Sequence, residues 1–325
     1  MPGRAQVVVV GSFNVDHVWR CESLPAPGAT LAGDYASGPG GKGFNQAVAA
    51  TRAGARTAFV CALGDDSGAQ LARELATADG IDLRAERSDA STGTAGIFVD
   101  ARGRNSIVIG AGANAALSAG FVASQHDAIA AAAVVLAQLE SPVDAIVRAL
   151  RDGHAAGAVT ILNPAPANAQ ASPELLSLAH VLTPNETEFA ALLAAHAGIK
   201  IDADSVADGD DAKLHAFARR LLPQGTVVLT LGASGLLVSH PPSTLRGDDT
   251  ACYRIPAEAA AVVDTTGAGD ACNGALAASL ALHPQRAFRD HAMFANRYAA
   301  LSTERAGAAA AMPSLQDFRS RHRDD

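Results

Sequence analysis

The stretch DTTGAGDACNG, residues 264–274, sets Asp264 and Asp270 on either side of a glycine-rich turn at the entrance to an apolar helical pattern. Gly267, Ala268 and Gly269 leave backbone N–H groups uncovered there, and the unpaired donors and dipole of a helix N-terminus attract an anion. Asp270 follows in the first turn. A carboxylate beside a phosphoryl group held by such amides is placed to receive a hydroxyl proton during phosphoryl transfer. The lack of bulk then leaves room for two substrates to meet. An acid that merely stabilises its helix is the other reading of Asp270.

A second glycine-rich stretch, GPGGKGFNQAVAATRAG (38–54), also opens a helix. It lacks the Ser/Thr that follows Gly-Lys in a P-loop. Gly43, Asn45 and the small residues Ala47, Ala49, Ala50 and Ala53 let a ligand and a neighbouring element approach closely, and Gly54 ends the helix. GAGANA (110–115) matches a dinucleotide-binding pattern but follows a hairpin and lacks the partner acid of a βαβ unit.

Both stretches need a scaffold. QVVVVG (6–11), AAVVLAQLE (132–140), AVTILNPA (158–165), HVLTPN (180–185) and TVVLTLG (226–232) read as strands covered on both faces. Helix-length segments at 118–131, 141–156 and 210–222 separate them, which predicts βαβ units and a parallel sheet. Ligands bind outside the carboxyl ends of such strands, so Asn14, Asp16, Glu140, Asn163, Asn185 and Gly232 become candidates. Residues 92–109 form a hairpin pattern without a helix. Together with the extended stretch 16–38 they predict a small β-sheet lid, and residues 198–212 read as an acidic surface loop. The expectation is one three-layer α/β/α domain over residues 1–325, with a mostly parallel central sheet and a lid formed by about 12–38 and 92–110.

Composition narrows the partners. With 25 basic and 33 acidic residues the net charge is −8, and no Lys/Arg-rich run marks a nucleic-acid surface. No apolar run reaches the ~18 residues of a membrane span, and the N-terminus lacks a cleavable signal pattern, so a cytosolic location is expected. Cys21, Cys61, Cys252 and Cys272 are far apart and read as reduced thiols.

GGKGFNQAVAATRAGARTAFVCALGDDSGA (40–69) and DTTGAGDACNGALAASLA (264–281) resemble the two signature regions of the PfkB family of carbohydrate kinases. GSFNVDHV, STGTAGIFVD, GAGANAALS, QLESP, LNPAPA and TPNETE follow in the order seen in the branch acting on ribose, and the resemblance runs from about residue 5 to 315. It implies an ATP-dependent kinase phosphorylating D-ribose at O5, with fructose, 2-keto-3-deoxygluconate, deoxyribose or a nucleoside as alternative substrates. It implies that Asn14, Asp16 and Glu140 meet sugar hydroxyls, which suits their side chains, and that Gly41, Lys42, Gly43 and Asn45 form a sugar-side loop. Lys42 reads equally well as a surface cation.

On the nucleotide side, the resemblance assigns Asn185 and Glu188 to Mg²⁺ and phosphates, Thr230, Gly232, Gly235 and Gly269 to ATP, and Asn296 to the neighbourhood of adenine. Asp270 falls on the base and Gly267, Ala268 and Gly269 on the anion hole. A K⁺ site is implied at Asp264 with carbonyls of Thr266, Ser302, Arg305 and Gly307, and with Ser314, although Asp264 also reads as a turn cap. A homodimer through the lid is implied. Two departures stand out: Cys272 where the family often has Phe, and a longer ERAGAAAAMPS (304–314), which bears on the cation residues. A dehydrogenase would need more glycine directly after the first strand than VVVVGSFNVDHV offers, and a non-catalytic sugar sensor would be expected to have lost Asp270 or its glycines.

Overall fold

A computed structural model describes residues 6–168 and 171–322 of the chain. Met1–Ala5, where the sequence reading begins, lie outside the described residues. The first half runs β1 (Val7–Val10), β2 (Asn14–Arg20), β3 (Asp34–Gly40), α1 (Lys42–Arg52), β4 (Thr57–Leu63), α2 (Ser67–Asp79), β5 (Asp82–Arg87), β6 (Gly93–Val99) and β7 (Asn105–Gly110). Next come α3 (Ala119–Ser124), α4 (His126–Ala131), β8 (Val134–Ala137), α5 (Val143–Ala155), β9 (Val159–Leu162), α6 (Pro173–Ser177), β10 (Val181–Leu182) and α7 (Glu186–Ala197). The remainder is α8 (Asp211–Leu221), β11 (Thr226–Thr230), β12 (Leu236–Ser239), β13 (Cys252–Ile255), α9 (Ala268–Leu282), α10 (Phe288–Ser302) and α11 (Leu315–Arg321).

The main sheet has the order β13-β12-β11-β10-β9-β8-β1-β4-β5 and is parallel from β11 to β5. Its inner strands are unbroken apolar runs because both faces are covered. Val7 and Val9 join the core built with α1, α2, α9 and α10, while Val8 and Val10 join the core built with α3 to α8. From β1 the chain passes to β4 on one side and, later, to β8 on the other. This reversal opens a crevice at the carboxyl ends of β1 and β8.

The small sheet, in the order β3-β2-β6-β7, is the lid pattern expected from 12–38 and 92–110. Its two antiparallel pairs are joined through a parallel β2–β6 pairing. Strand alternation puts Asn14, Asp16, Ala36, Ile97 and Ile107 on one face, and Trp19, Tyr35 and Phe98 stack their rings on the other. The one helix expected over 118–131 is two short helices instead. The Ser124 hydroxyl donates to the Phe121 carbonyl, and the chain leaves helical geometry at Gln125. Most of 198–212 is loop, with a single 3₁₀ turn and Val206 tucked into the core.

Candidate active site

Helices α1 and α9 cross closely and carry Lys42, Asn45, Gln46 and Asp270. A Cβ on Gly274 would lie only 2.5 Å from both the Ala49 Cβ and the Gln46 carbonyl oxygen, so only glycine allows this approach. Across the crossing, Asn45 Nδ2 donates to Asp270 Oδ2 at 2.9 Å and Gln46 Nε2 donates to Oδ1 at 2.8 Å. Asp270 is buried, and burial pushes its carboxyl above the usual range, opposed by the Lys42 charge and these two amides.

Gly267 caps α9 in the left-handed conformation, φ 77°. Of the three amides expected to form an anion hole, Ala268 N–H turns back to the Thr265 carbonyl at 3.2 Å. Those of Gly267 and Gly269, and that of Asp270 itself, have no protein acceptor among the described residues. They open with Lys42, Asn163, Thr183, Asn185, Glu188, Thr230 and Asn273 onto one cleft.

On the sugar side, Glu140 Oε2 accepts from Ser12 Oγ at 2.5 Å and from the Lys42 amide at 3.0 Å. Gly41, at φ 87°, and Gly43 press the start of α1 against residues 11–14; a Cβ on Gly43 would be 2.6 Å from the Ser12 nitrogen. Asn14 and Asp16 lie on β2 of the small sheet. Asn114 Nδ2 donates to Asn14 Oδ1 at 2.8 Å, and Asn114 also bonds the Phe13 backbone in both directions. Burial, then Glu140 and Asp270, raise the Asp16 pKa to about 6. Lys42 is no free surface cation: burial disfavours its charge, but Asp270, Glu140 and Glu188 outweigh that and raise its pKa. Asn45 Oδ1 is buried with no partner, an acceptor left beside Asp270.

On the nucleotide side, Asn185 and Glu188 form a capping box at the start of α7, each side chain accepting from the other's backbone N–H. Burial raises Glu188 above the usual carboxyl range, against the Asn185 N–H and Lys42. Thr230 ends β11 in the cleft, and Gly232 and Gly235 shape the tight turn into β12. Gly235 has φ 85°, and a Cβ there would sit 2.1 Å from the Ile255 carbonyl. Asn296 does not line the cleft; its Nδ2 donates to the Pro256 carbonyl at 2.8 Å.

In the cation segment, Asp264 accepts from Thr266 N (2.9 Å) and Oγ (2.6 Å), and from Gly307 N (3.0 Å). Burial raises this carboxyl, but these bonds prevail and hold it below the usual range. The structure thus joins Asp264, Thr266 and Gly307. Ser302 Oγ donates to Ala299 O, and the Arg305 guanidinium pairs with Asp317. Ser314 spends both oxygens on α11, its Oγ accepting from Asp317 N and its carbonyl from Phe318 N. Cys272 packs in the core where α9 is buried.

Sequence reasoning missed Gln46, Asn114, Thr183 and Asn273. Thr183 Oγ1 donates to Asn273 Oδ1 at 2.6 Å, and Asn273 Nδ2 donates to the Gly269 carbonyl at 2.9 Å, so β10 braces the first turn of α9.

Comparison with known proteins gives a consistent result. The profile of the pfkB family carbohydrate kinases matches residues 4–315. The bifunctional ribokinase/ribose-5-phosphate isomerase A of Fructilactobacillus sanfranciscensis is 39% identical over 317 residues, 96% of this chain and 55% of that one. The chain therefore spans about half of that relative. Ribokinase of Mus musculus is 38% identical over 319 residues, 97% of this chain and 94% of its own. The structure of Arabidopsis thaliana ribokinase complexed with ribose and ATP superposes with a TM-score of 0.83 at 27% identity, covering 98% of each chain.

Proposed function

The chain belongs to the PfkB family of carbohydrate kinases, and from that footing we propose that it transfers the γ-phosphoryl group of ATP to the O5 hydroxyl of D-ribose, with Asp270 as the base. The observation that carries this reading is the placement of Asp270: a buried carboxylate held at both oxygens from α1, beside the open amides of Gly267 and Gly269. Ribose is supported by the relatives named ribokinase at 38% and 36% identity.

In this reading the ribose rests against Asn14, Asp16, Glu140 and Asn45. Its O5 attacks the γ-phosphorus, the bond to the bridging oxygen of ADP breaks, and the hydroxyl proton passes to Asp270. The amides of Gly267 and Gly269 and the Lys42 ammonium face the charge on the transferring group. Mg²⁺ fits the acidic, oxygen-rich side of the cleft, where Glu188 and Asn185 would hold it through phosphate oxygens and water; it would shield phosphate charge. ATP turnover measured with ribose, fructose, 2-keto-3-deoxygluconate, deoxyribose and adenosine tests the substrate. Turnover with ribose should dominate; a rate with ribose no higher than without sugar, alongside turnover of another substrate, would overturn it.

K⁺ is proposed as an activator at Asp264. The carboxylate is held below the usual range and its hydrogen-bond partners are all neutral, two backbone N–H groups and the Thr266 hydroxyl, so its charge is left for a hard, weakly demanding cation. When bound it would neutralise Asp264 beneath the turn that presents Gly267 and Gly269. kcat in KCl should exceed kcat in equal NaCl or tetramethylammonium chloride, and Asp264→Ala should remove the difference. Equal rates in all three salts, or a K⁺ response surviving in the variant, would contradict the assignment.

A homodimer through the lid is supported by the exposed Tyr35, Ile107, Val108 and Ile109 of the small sheet, whose outer strand offers an open edge. Sedimentation at micromolar concentration should give a dimer, and a fully active monomer would refute it. Among the described residues no helix is long and apolar enough to cross a membrane, and we place the enzyme in the cytosol, in keeping with its unpaired cysteines.

A further inference from the structure

Asp270 is not oriented by its own helix. The amide that holds its Oδ1 belongs to Gln46, a buried side chain on α1 that spends both N–H donors and accepts one bond at its oxygen. Gln46 Nε2 donates to Asp270 Oδ1 at 2.8 Å and to Asn163 Oδ1 at 3.1 Å, and Gln46 Oε1 accepts from Gln138 Nε2 at 2.5 Å. With both donors spent and the side chain fully buried, Gln46 has no donor to offer a substrate.

The direction of this amide is fixed from outside. Asn163 Nδ2 donates to the Thr183 backbone carbonyl at 3.0 Å, and a carbonyl only accepts. Asn163 must therefore turn its Oδ1 toward Gln46, and Gln46 must answer with Nε2. The Gln138 Nε2 on the opposite side meets Gln46 Oε1, while its own Oε1 is buried without a partner, so the orientation is set by Asn163. A flipped Gln46 would set its oxygen against the Asp270 carboxylate and the Asn163 oxygen together. Gln138 is itself confined: a Cβ on Gly11 would lie 2.0 Å from its Oε1, so the glycine after β1 makes its place.

We propose that Gln46, its amide oriented by Asn163, is the positioning residue that fixes the Asp270 carboxylate plane and stabilises its ionised form for proton abstraction. The proposal rests on the reading of Asp270 as the base. Charged groups that face Asp270 from the packed elements are Lys42 on α1, Asp16 on β2, Glu140 after β8 and Glu188 on α7. All four remain in the variants below, so a change in pH response belongs to the amide.

The test compares the pH profiles of kcat, with saturating ribose and ATP, for the wild-type enzyme and for Gln46→Leu, Gln46→Glu, Gln138→Leu and Asp270→Asn. Losing the charge-assisted bond should lower kcat of Gln46→Leu by roughly 10- to 100-fold, with ribose KM within about threefold of wild type. It should also move the acid limb of the profile upward by about one pH unit, because the carboxylate loses a donor. Gln46→Glu should move the limb further up, its carboxylate opposing ionisation of Asp270. Gln138→Leu, which removes the donor to Gln46 Oε1 while Asn163 and Asp270 still hold the amide, should shift it in the same direction by less. A purely structural role would lower the melting temperature without moving the acid limb or separating kcat from KM. An unmoved limb in a folded Gln46→Leu, with Asp270→Asn inactive, would overturn the positioning role alone; an active Asp270→Asn would remove the base reading beneath it.

Discussion

Replacing Asp270 with Asn is expected to lower kcat by roughly 10²- to 10⁴-fold, the range contributed by a positioned base, while ribose KM changes little. The side chain keeps its size and its place in the first turn of α9, so the anion-binding amides stay where they are. What it loses is the capacity to take a proton. A second consequence follows from the two donors that hold it. Asn45 Nδ2 and Gln46 Nε2 both point at Asp270, and an Asn side chain offers only one oxygen, so one contact becomes donor against donor. Removal of a buried charge offsets this cost, so the variant should still fold and melt within a few degrees of wild type. Near-normal kcat in Asp270→Asn would take the residue out of its role.

Gly274→Ala is expected to harm both stability and turnover although residue 274 touches no substrate. The added Cβ would meet the Ala49 Cβ and Gln46 carbonyl at 2.5 Å and the Ala50 nitrogen at 2.8 Å. Two of these are helix backbone atoms that no side-chain rotation relieves. The helices must separate by several tenths of an ångström, which costs about 1–3 kcal/mol of unfolding free energy as overpacking. The same separation stretches the bonds from Asn45 and Gln46 to Asp270, so kcat should fall about tenfold, in line with the steep dependence of rate on placement. Gly120→Ala is the control, since its nearest neighbour would be the Ser118 hydroxyl at 3.8 Å within a surface helix. Denaturant unfolding and kcat for the pair decide the matter; a Gly274→Ala protein as stable and active as wild type would show that the crossing has slack.

These two residues mark the limit of what the sequence made legible. The buried strands β1, β8, β9, β10 and β11 were readable because strands covered on both faces become short apolar runs. The starts of α1 and α9 were readable because glycines beside polar residues have few other uses. β4 was missed as a strand: Ala58 and Ala62 give TAFVCAL little β preference, and its burial is a tertiary fact. β5 and β13 lie at the sheet edges and alternate with charged residues, so their apolar signal is thin.

Within the candidate site, Asp270 and Asn45, which the structure brings into contact, were singled out through residue type and local glycines. Gln46 was not, because in an Ala-rich helix its identity says nothing about which neighbour it meets. Only the α1–α9 crossing turns it toward Asp270, and only the Thr183 carbonyl settles which end of its amide faces there. Ser12 and Glu140, 128 residues apart, likewise meet only through the adjacency of β1 and β8. The Ala268 amide shows the converse: the motif offers three uncovered donors, and the local turn closes one of them on Thr265.

The central claim is transfer of the γ-phosphoryl group to O5 of ribose at Asp270. Its most direct test is the identity of the product formed from ATP and D-ribose, read by phosphorus NMR with coupling to the sugar protons, for wild type and Asp270→Asn side by side. Wild type is expected to form ribose 5-phosphate and ADP in equal amounts, with the phosphorus coupled to the two C5 protons, and the variant to do so at a rate lower by about two orders of magnitude or more. Phosphate on another ribose oxygen, or ribose 5-phosphate formed at an undiminished rate by Asp270→Asn, would contradict it.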